Sequence, residues 1–303
     1  MVNIAIPDPA TLATSLDEFE RNFYVMPGLR TPNAKGILAQ QLHDSIRDIQ
    51  FCGIISRNRQ SASFSDPNAN NFNPLRGAKY YLDNNELDEA AWLIFLAIWF
   101  GKAKPGRWNL VRTFYSGTNS GFVWTWDNII QNRNQFVAWI NREGQNVKGN
   151  RKFGNHRKYE TIRNITRSID TYKNWVGGHL SHRTLLTNAQ NQVGRNAFDV
   201  FDHLYNSIDS VFRFGRMAKF DYLCMLGKLG IMPIEPGSTY LRGATGPYNG
   251  ARRLFGNRLN IGQLEQRMDA LGLHLGIPFS MQIIEDAVCN WEKSPTTYIR
   301  FTG

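Results

Sequence analysis

Cysteine is scarce in this sequence, acids are outnumbered, and no apolar stretch is long enough for a bilayer. The 303 residues hold three cysteines, Cys52, Cys224 and Cys289. An iron–sulfur cluster takes four thiolates, more than three cysteines supply. No Cys/His spacing fits zinc, so neither a metal nor another cofactor is expected. No two cysteines are close in sequence, and Cys224 and Cys289 fall in apolar helical patterns. Buried, reduced thiols and a cytoplasmic location follow. The apolar run at 90–100 has eleven residues, against about 20 for a transmembrane helix. The N-terminal region is polar and acidic (Asp8, Asp17, Glu18, Glu20), which predicts no signal peptide and no membrane partner.

What is present is a basic chain with a sizeable core. Apolar residues make up 42% of it, enough for one large core or two modest domains. Net charge is +10, and residues 142–183 alone contribute ten Lys/Arg against three Asp/Glu. A localised basic segment rich in Asn and aromatics suits a polyanion such as DNA. A solvated face satisfies the charge equally well.

Periodicity predicts a mostly α-helical protein. A short helix is expected over 12–23 and an amphipathic one over 37–55. In the second, Leu38, Leu42, Ile46 and Ile49 share one face, and Gln41, Ser45, Arg47 and Asp48 mark the polar side. Residues 57–75 read as a polar loop, either DNA-contacting or a surface insertion. The run at 90–100 is opened by Asn85, Glu86, Asp88 and Glu89 and closed by Gly101, as the dipole and capping rules require of a buried helix. Trp108, Trp124, Trp126 and Trp139 are expected mostly in the core, with base stacking as the alternative. Residues 149–160 form a basic, glycine-punctuated loop. There Asn155 and His156 can meet an unstacked base while Arg157 and Lys158 take phosphates. Further helices are expected over 259–275 and 281–291. In the latter, Ile283, Ile284, Ala287, Val288 and Trp291 form an apolar stripe. Its acids, Glu285 and Asp286, point about 100° apart.

The segment 199–255 organises the rest. An amphipathic helix carrying Phe201, Leu204, Ile208 and Val211 runs into Phe212-Arg-Phe-Gly215. A second helix follows from Arg216, with Gly230 as its closing residue. Such a turn aims free N–H groups of the second helix at a phosphate. Arg213, Arg216 and Lys219 add charge there. Beyond it, Gly243-Ala-Thr-Gly-Pro-Tyr-Asn-Gly reads as a glycine loop before a helix, able to approach a phosphate or sugar through Gly246.

This turn resembles the hairpin of the helix–hairpin–helix DNA glycosylase superfamily. The superfamily's catalytic acid follows the hairpin glycine by one helix and one loop. Glu235 lies 20 residues beyond Gly215, and Leu226-Gly-Lys resembles the triplet that precedes the carboxylate in the adenine-excising branch. Two departures stand: the first hairpin glycine is missing, and the acid is Glu rather than Asp.

A second resemblance covers most of the chain. Arg76-Gly-Ala-Lys-Tyr-Tyr, Gly154-Asn-His-Arg-Lys-Tyr-Glu, Phe214-Gly-Arg-Met-Ala-Lys-Phe-Asp-Tyr, Gly243-Ala-Thr-Gly-Pro-Tyr-Asn-Gly-Ala-Arg and Ile284-Glu-Asp-Ala-Val-Cys-Asn-Trp-Glu-Lys occur in this order. Together they resemble the third clade of the α-glutamyl/putrescinyl thymine pyrophosphorylase family, a glycosylase-like branch acting on hypermodified phage DNA. The related clades carry Glu-His where this chain has Glu285-Asp286.

The resemblance implies two helical lobes around a DNA-binding cleft, at about 1–195 and 196–303, within a single monomeric unit. It implies a glycosylase that removes glucosylated 5-hydroxymethylcytosine from double-stranded phage DNA in antiviral defence. The alternative it implies is a transferase that replaces pyrophosphate on 5-hydroxymethyluracil with an amine. A carboxylate beside C1′ is needed to stabilise an oxocarbenium-like sugar. The candidates are Glu235, Asp286, Glu285 and Asp221. Arg76, Phe214, Gly215 and Lys293, within the matching segments, join the DNA- or base-binding set named above. Lyase-type hairpin glycosylases place a lysine two residues past the hairpin glycine. Here that position is Met217, and Lys219 lies on another face, so excision is expected to leave an abasic site without a nick.

Overall fold

The computed structural model describes residues 5–301. These form fourteen α-helices joined by loops and short 3-10 turns, with no strand among the described residues. In chain order the helices are α1 (Pro9–Asn22), α2 (Ala34–Arg57), α3 (Pro74–Asp83), α4 (Leu87–Phe100), α5 (Asn109–Tyr115), α6 (Trp126–Gln131) and α7 (Arg133–Lys148). They continue as α8 (Ile165–Val176), α9 (His182–Val193), α10 (Ala197–Ser207), α11 (Arg216–Lys228), α12 (Thr245–Phe255), α13 (Ile261–Leu275) and α14 (Ser280–Lys293). No helix of the described residues is long and apolar enough to cross a membrane.

The chain divides into two compact units, Met1–Ile54 with Glu235–Thr302, and Ile55–Ile234. The sequence placed a lobe boundary near 195 instead. The reason lies in the first unit's core. Leu12, Leu16 and Phe19 of α1 and Leu38, Leu42 and Ile46 of α2 are buried in one cluster with Leu254 of α12, Leu264, Met268 and Leu271 of α13, and Ile283, Ile284 and Trp291 of α14. The N-terminal helices thus find their apolar partners at the far end of the sequence. Helix α14 packs on α12 and α13. A Cβ at Gly250 would stand 2.5 Å from the Val288 carbonyl oxygen, and one at Gly246 would stand 2.5 Å from Cys289 Sγ. These glycines let α12 and α14 approach closely. The expected loop before the helix is therefore shorter than the sequence suggested: Gly246, Pro247 and Gly250 lie inside α12, and Tyr240 (φ 47°) and Gly243 (φ 77°) supply left-handed backbone ahead of it.

The second unit is built around α4. Every residue from Glu89 to Phe100 except Ile98 is buried, as befits a helix apolar on all sides. It packs against α3, α5, α6, α9 and α11. Trp124, Trp126 and Trp139 are buried as the sequence predicted. The two acids expected to serve the helix dipole do something more specific. Asp88 Oδ1 accepts from the backbone N–H of His182 at 2.6 Å and lies 2.7 Å from His182 Nδ1. His182 Nε2 lies 2.6 Å from the Tyr172 hydroxyl, which is 2.6 Å from that of Tyr222. Glu89 accepts from the Tyr115 hydroxyl at 2.5 Å and from the Trp126 backbone N–H at 2.7 Å. Buried polar groups without such partners would each cost about 1–3 kcal/mol.

Burial pushes the Glu89 carboxyl up to about 7 from an ordinary 4.5, against the lowering effect of its two hydrogen bonds. A carboxyl raised in the folded state favours folding fully below its unfolded pKa and loses that advantage as pH rises through its folded value. The expected outcome for Glu89→Gln, which keeps an acceptor for Trp126, is a melting temperature that climbs relative to the wild type between about pH 4.5 and 7 and then levels. Thermal unfolding of both proteins across that range checks it; a constant difference would contradict the assignment.

Candidate nucleic-acid interface

The basic loop begins as a cap. The last carbonyls of α4 have no partner within the helix. Gly154 N–H donates to the Phe100 carbonyl at 2.9 Å, and Arg157 Nε donates to that of Trp99 at 2.8 Å. The backbones of Gly101 and Gly154 meet so closely that a Cβ at Gly154 would stand 2.8 Å from Gly101 Cα. Arg157 is also stacked over the Trp99 ring, 5.4 Å from its centroid. A cation at a helix C-terminus complements the dipole, and hydrogen bonds from a charged donor contribute about 1.5–3 kcal/mol each.

The same guanidinium reaches the turn between α10 and α11. Arg157 Nη1 donates to the Arg213 carbonyl at 2.8 Å. Glu160, its side chain 7% exposed, lies 3.5 Å from Arg157 and 3.9 Å from Arg213. Helix α8 holds the turn from another side: Phe212 N–H donates to Thr171 Oγ1 at 2.9 Å, and Ser168 Oγ donates to the Phe212 carbonyl at 2.9 Å. The basic loop and the turn, 56 residues apart, are thus one rigid feature. Burial pushes the Arg157 pKa down while Glu160 opposes the shift.

Around this junction Asn155, His156, Lys158, Arg163, Arg167 and Arg213 are exposed. Arg167 lies over the Phe212 ring, 4.1 Å from its centroid. Helix α11 starts at Gly215 with no side-chain cap, and its end has the Schellman geometry: Gly230 N–H reaches the Gly227 carbonyl and Ile231 N–H that of Leu226. Gly215, the glycine that ends the turn, has φ −68°, and the left-handed residue is Arg213, at φ 60°. A depression of about 600 Å³, lined by residues including Arg107, Asn109, Asn150, Arg151 and Lys152, sits at the start of the basic loop.

Not every expected contact residue faces outward. Phe214 is buried and stacked on Phe95, with centroids 5.2 Å apart. Lys219 is buried; it donates to Asp209 at 2.6 Å and to the Tyr205 carbonyl at 3.2 Å, with Nζ over the Tyr205 ring. Both have packing roles in the turn. Arg216 lies over the Phe220 ring. Arg76 donates to Gln60 Oε1 at 3.0 Å and stacks over Phe64, which ties it to the polar loop ahead of α3. Asp221, half-buried on α11, belongs to this unit.

The other carboxylates lie in the first unit. Glu235 is half-buried and accepts from the Phe279 backbone N–H at 2.6 Å, at the N-terminus of α14. Burial pushes its pKa up, and the Phe279 bond pulls it back. Asp286 lies seven residues beyond Phe279 on α14, about 10 Å along the helix axis. Asp286 is the better oriented. Its Oδ2 accepts from Ser45 Oγ at 2.6 Å and its Oδ1 from Asn290 Nδ2 at 3.1 Å; Lys293 Nζ donates to Asn290 Oδ1 at 2.9 Å. Glu285 is its half-buried neighbour.

Helix α2 supplies residues that periodicity placed on its polar side. Gln41 and Ser45 are buried, and Gln41 donates to the Ile299 carbonyl at 2.9 Å. Asp44 accepts from the Tyr298 hydroxyl at 2.6 Å. Gly246 meets this cluster through Cys289, whose thiol burial pushes up to about 11, so it is no thiolate at neutral pH. None of the three cysteines is in a disulfide, and Cys52 and Cys224 are buried. Among the described residues no group of three or more His, Cys, Asp or Glu could hold a metal ion.

No curated protein and no solved structure matches the chain. Residues 33–303 match the family described as alpha-glutamyl/putrescinyl thymine pyrophosphorylase clade 3, and the chain belongs to that family of thymine-modifying enzymes acting on DNA.

Proposed function

We propose that the protein is a monofunctional DNA glycosylase. It excises glucosylated 5-hydroxymethylcytosine from double-stranded phage DNA and leaves abasic sites, as a defence against phage. The observation that carries the DNA-binding part is the Arg157 junction, which sets exposed cations of the loop beside the uncapped start of α11. Cations beside a helix N-terminus that no side chain caps suit a phosphate backbone. In the reaction, the bond from C1′ to the base nitrogen breaks and the base leaves with the electron pair and takes up a proton. Water then supplies the oxygen that bonds C1′. A fixed carboxylate stabilises the positive charge that develops on the sugar. Asp286, held by Ser45 and Asn290, is the group we assign to that role; Glu235 is assigned to the N-terminus of α14.

The second reading is a transferase, which the family's description as a pyrophosphorylase favours. It would displace pyrophosphate from pyrophosphorylated 5-hydroxymethyluracil with an amine. The discriminating experiment incubates the protein with duplexes carrying glucosylated 5-hydroxymethylcytosine, 5-hydroxymethyluracil or unmodified bases, without added cofactor, and measures abasic sites and released base. The expected result is abasic sites in the glucosylated duplex alone. Their absence from every duplex, with a mass gain in pyrophosphorylated DNA given an amine, would establish the transferase.

Asp286→Asn is expected to lower excision at least a hundredfold while DNA affinity stays within about twofold. Glu235→Gln keeps an acceptor for Phe279 and removes a charge that burial disfavours, so its melting temperature at neutral pH is expected to equal or exceed that of the wild type. Loss of excision in Glu235→Gln with an active Asp286→Asn would move the catalytic carboxylate to Glu235. Arg213→Gly relieves about 1–2 kcal/mol of left-handed strain against about 0.5–1 kcal/mol of backbone entropy. Its stability should change little, while the slope of log affinity against log salt falls by about one. Fluorescence anisotropy over a salt series measures that slope.

A further inference from the structure

Tyr159 is 88% exposed, against 70% for Leu273, the next of the exposed large apolar side chains. Aromatic rings are normally the side chains that gain most from burial, so a ring left this open on a rigid support calls for a partner. Its support is rigid. The preceding Arg157 is fixed to the Trp99 and Arg213 carbonyls. The following Glu160 accepts from the Thr161 backbone N–H at 3.0 Å and from Asn164 Nδ2 at 2.5 Å, and stands 3.9 Å from Arg213. The ring is thus presented between two residues that are both anchored to the α10–α11 turn. Lys158 Nζ lies 4.9 Å from the ring centroid, and Asn155, His156, Arg163 and Arg213 are exposed around it.

An open ring among cations fits a ligand that offers flat π faces and negative charge together. A purely apolar protein partner would not account for the charge, and a free phosphate would not account for the ring. We infer that Tyr159 stacks on the nucleic-acid bases at the α10–α11 turn, holding the strand where a base has left the stack. The pinned backbone lowers the ordering cost of that contact. This inference rests on the proposed binding of DNA.

Wild type, Tyr159→Ala and Tyr159→Phe are compared on a duplex carrying 2-aminopurine beside a mismatch, and on the corresponding single strand, over a salt series. The expected result is an affinity loss of about tenfold or more for Tyr159→Ala, from the usual strength of base–aromatic stacking. Its salt slope should be unchanged, because no charge is removed. The 2-aminopurine fluorescence change should be present with wild type and Tyr159→Phe and lost with Tyr159→Ala. Wild-type affinity and fluorescence response in Tyr159→Ala would overturn the inference and leave DNA binding standing. Absence of salt-dependent DNA binding by the wild type would overturn the DNA-binding reading and this inference with it. An exposed position makes misfolding of the variants easy to check, since their melting temperatures should match the wild type.

Discussion

The Arg157 guanidinium is the constraint on which the second unit's outer surface depends. It joins three things that the sequence keeps apart: the C-terminus of the apolar helix α4, the basic loop, and the turn before α11. The helix end needs donors for its last carbonyls, and the loop supplies them through Gly154 and Arg157. The loop's own shape needs fixed points, and the core helix gives it two. The turn needs its left-handed Arg213 held in place, and Arg157 accomplishes that from one side while Thr171 and Ser168 hold Phe212 from the other. One cation thereby converts a core requirement, satisfying buried carbonyls, into an ordered surface.

The polar chains around α4 follow the same logic at greater depth. His182, Tyr172 and Tyr222 satisfy one another in the interior, with Asp88 closing the chain at the surface end, and Glu89 serves both Tyr115 and the start of α6. Burial holds the His182 pKa down, opposed by Asp88. In a low-dielectric core such networks are costly if any member is lost, so they specify one arrangement of the surrounding helices. The first unit uses close packing for the same end. Gly246 and Gly250 bring α12 onto α14, the helix whose Asp286 accepts from Ser45 on α2.

Much of this was legible in the sequence, for identifiable reasons. The eleven-residue apolar run could only be a buried helix, and Gly101 and Gly230 marked helix ends because few other residues take positive φ cheaply. Periodicity located α2, α13 and α14 because their apolar stripes repeat at helical spacing. It put Gln41 and Ser45 on the polar side without their partners, since a polar residue buried against a distant carbonyl or carboxylate leaves no local trace. It also put Lys219 on the surface, where a count of charges sees a cation but not its Asp209 partner. The sequence offers four candidate carboxylates without ranking them. What separates Glu235 from Asp286 is which backbone and side-chain groups surround each acid, and spacing along the chain does not carry that. Tyr159 was passed over because exposure, not residue type, makes it unusual.

Hydrogen–deuterium exchange of the full chain with and without duplex DNA carrying glucosylated 5-hydroxymethylcytosine tests this coupling most directly. DNA is expected to slow exchange together in peptides covering residues 154–167 and 211–219, because Arg157 makes the loop and the turn one surface. Protection of one segment without the other, or of neither, would contradict it.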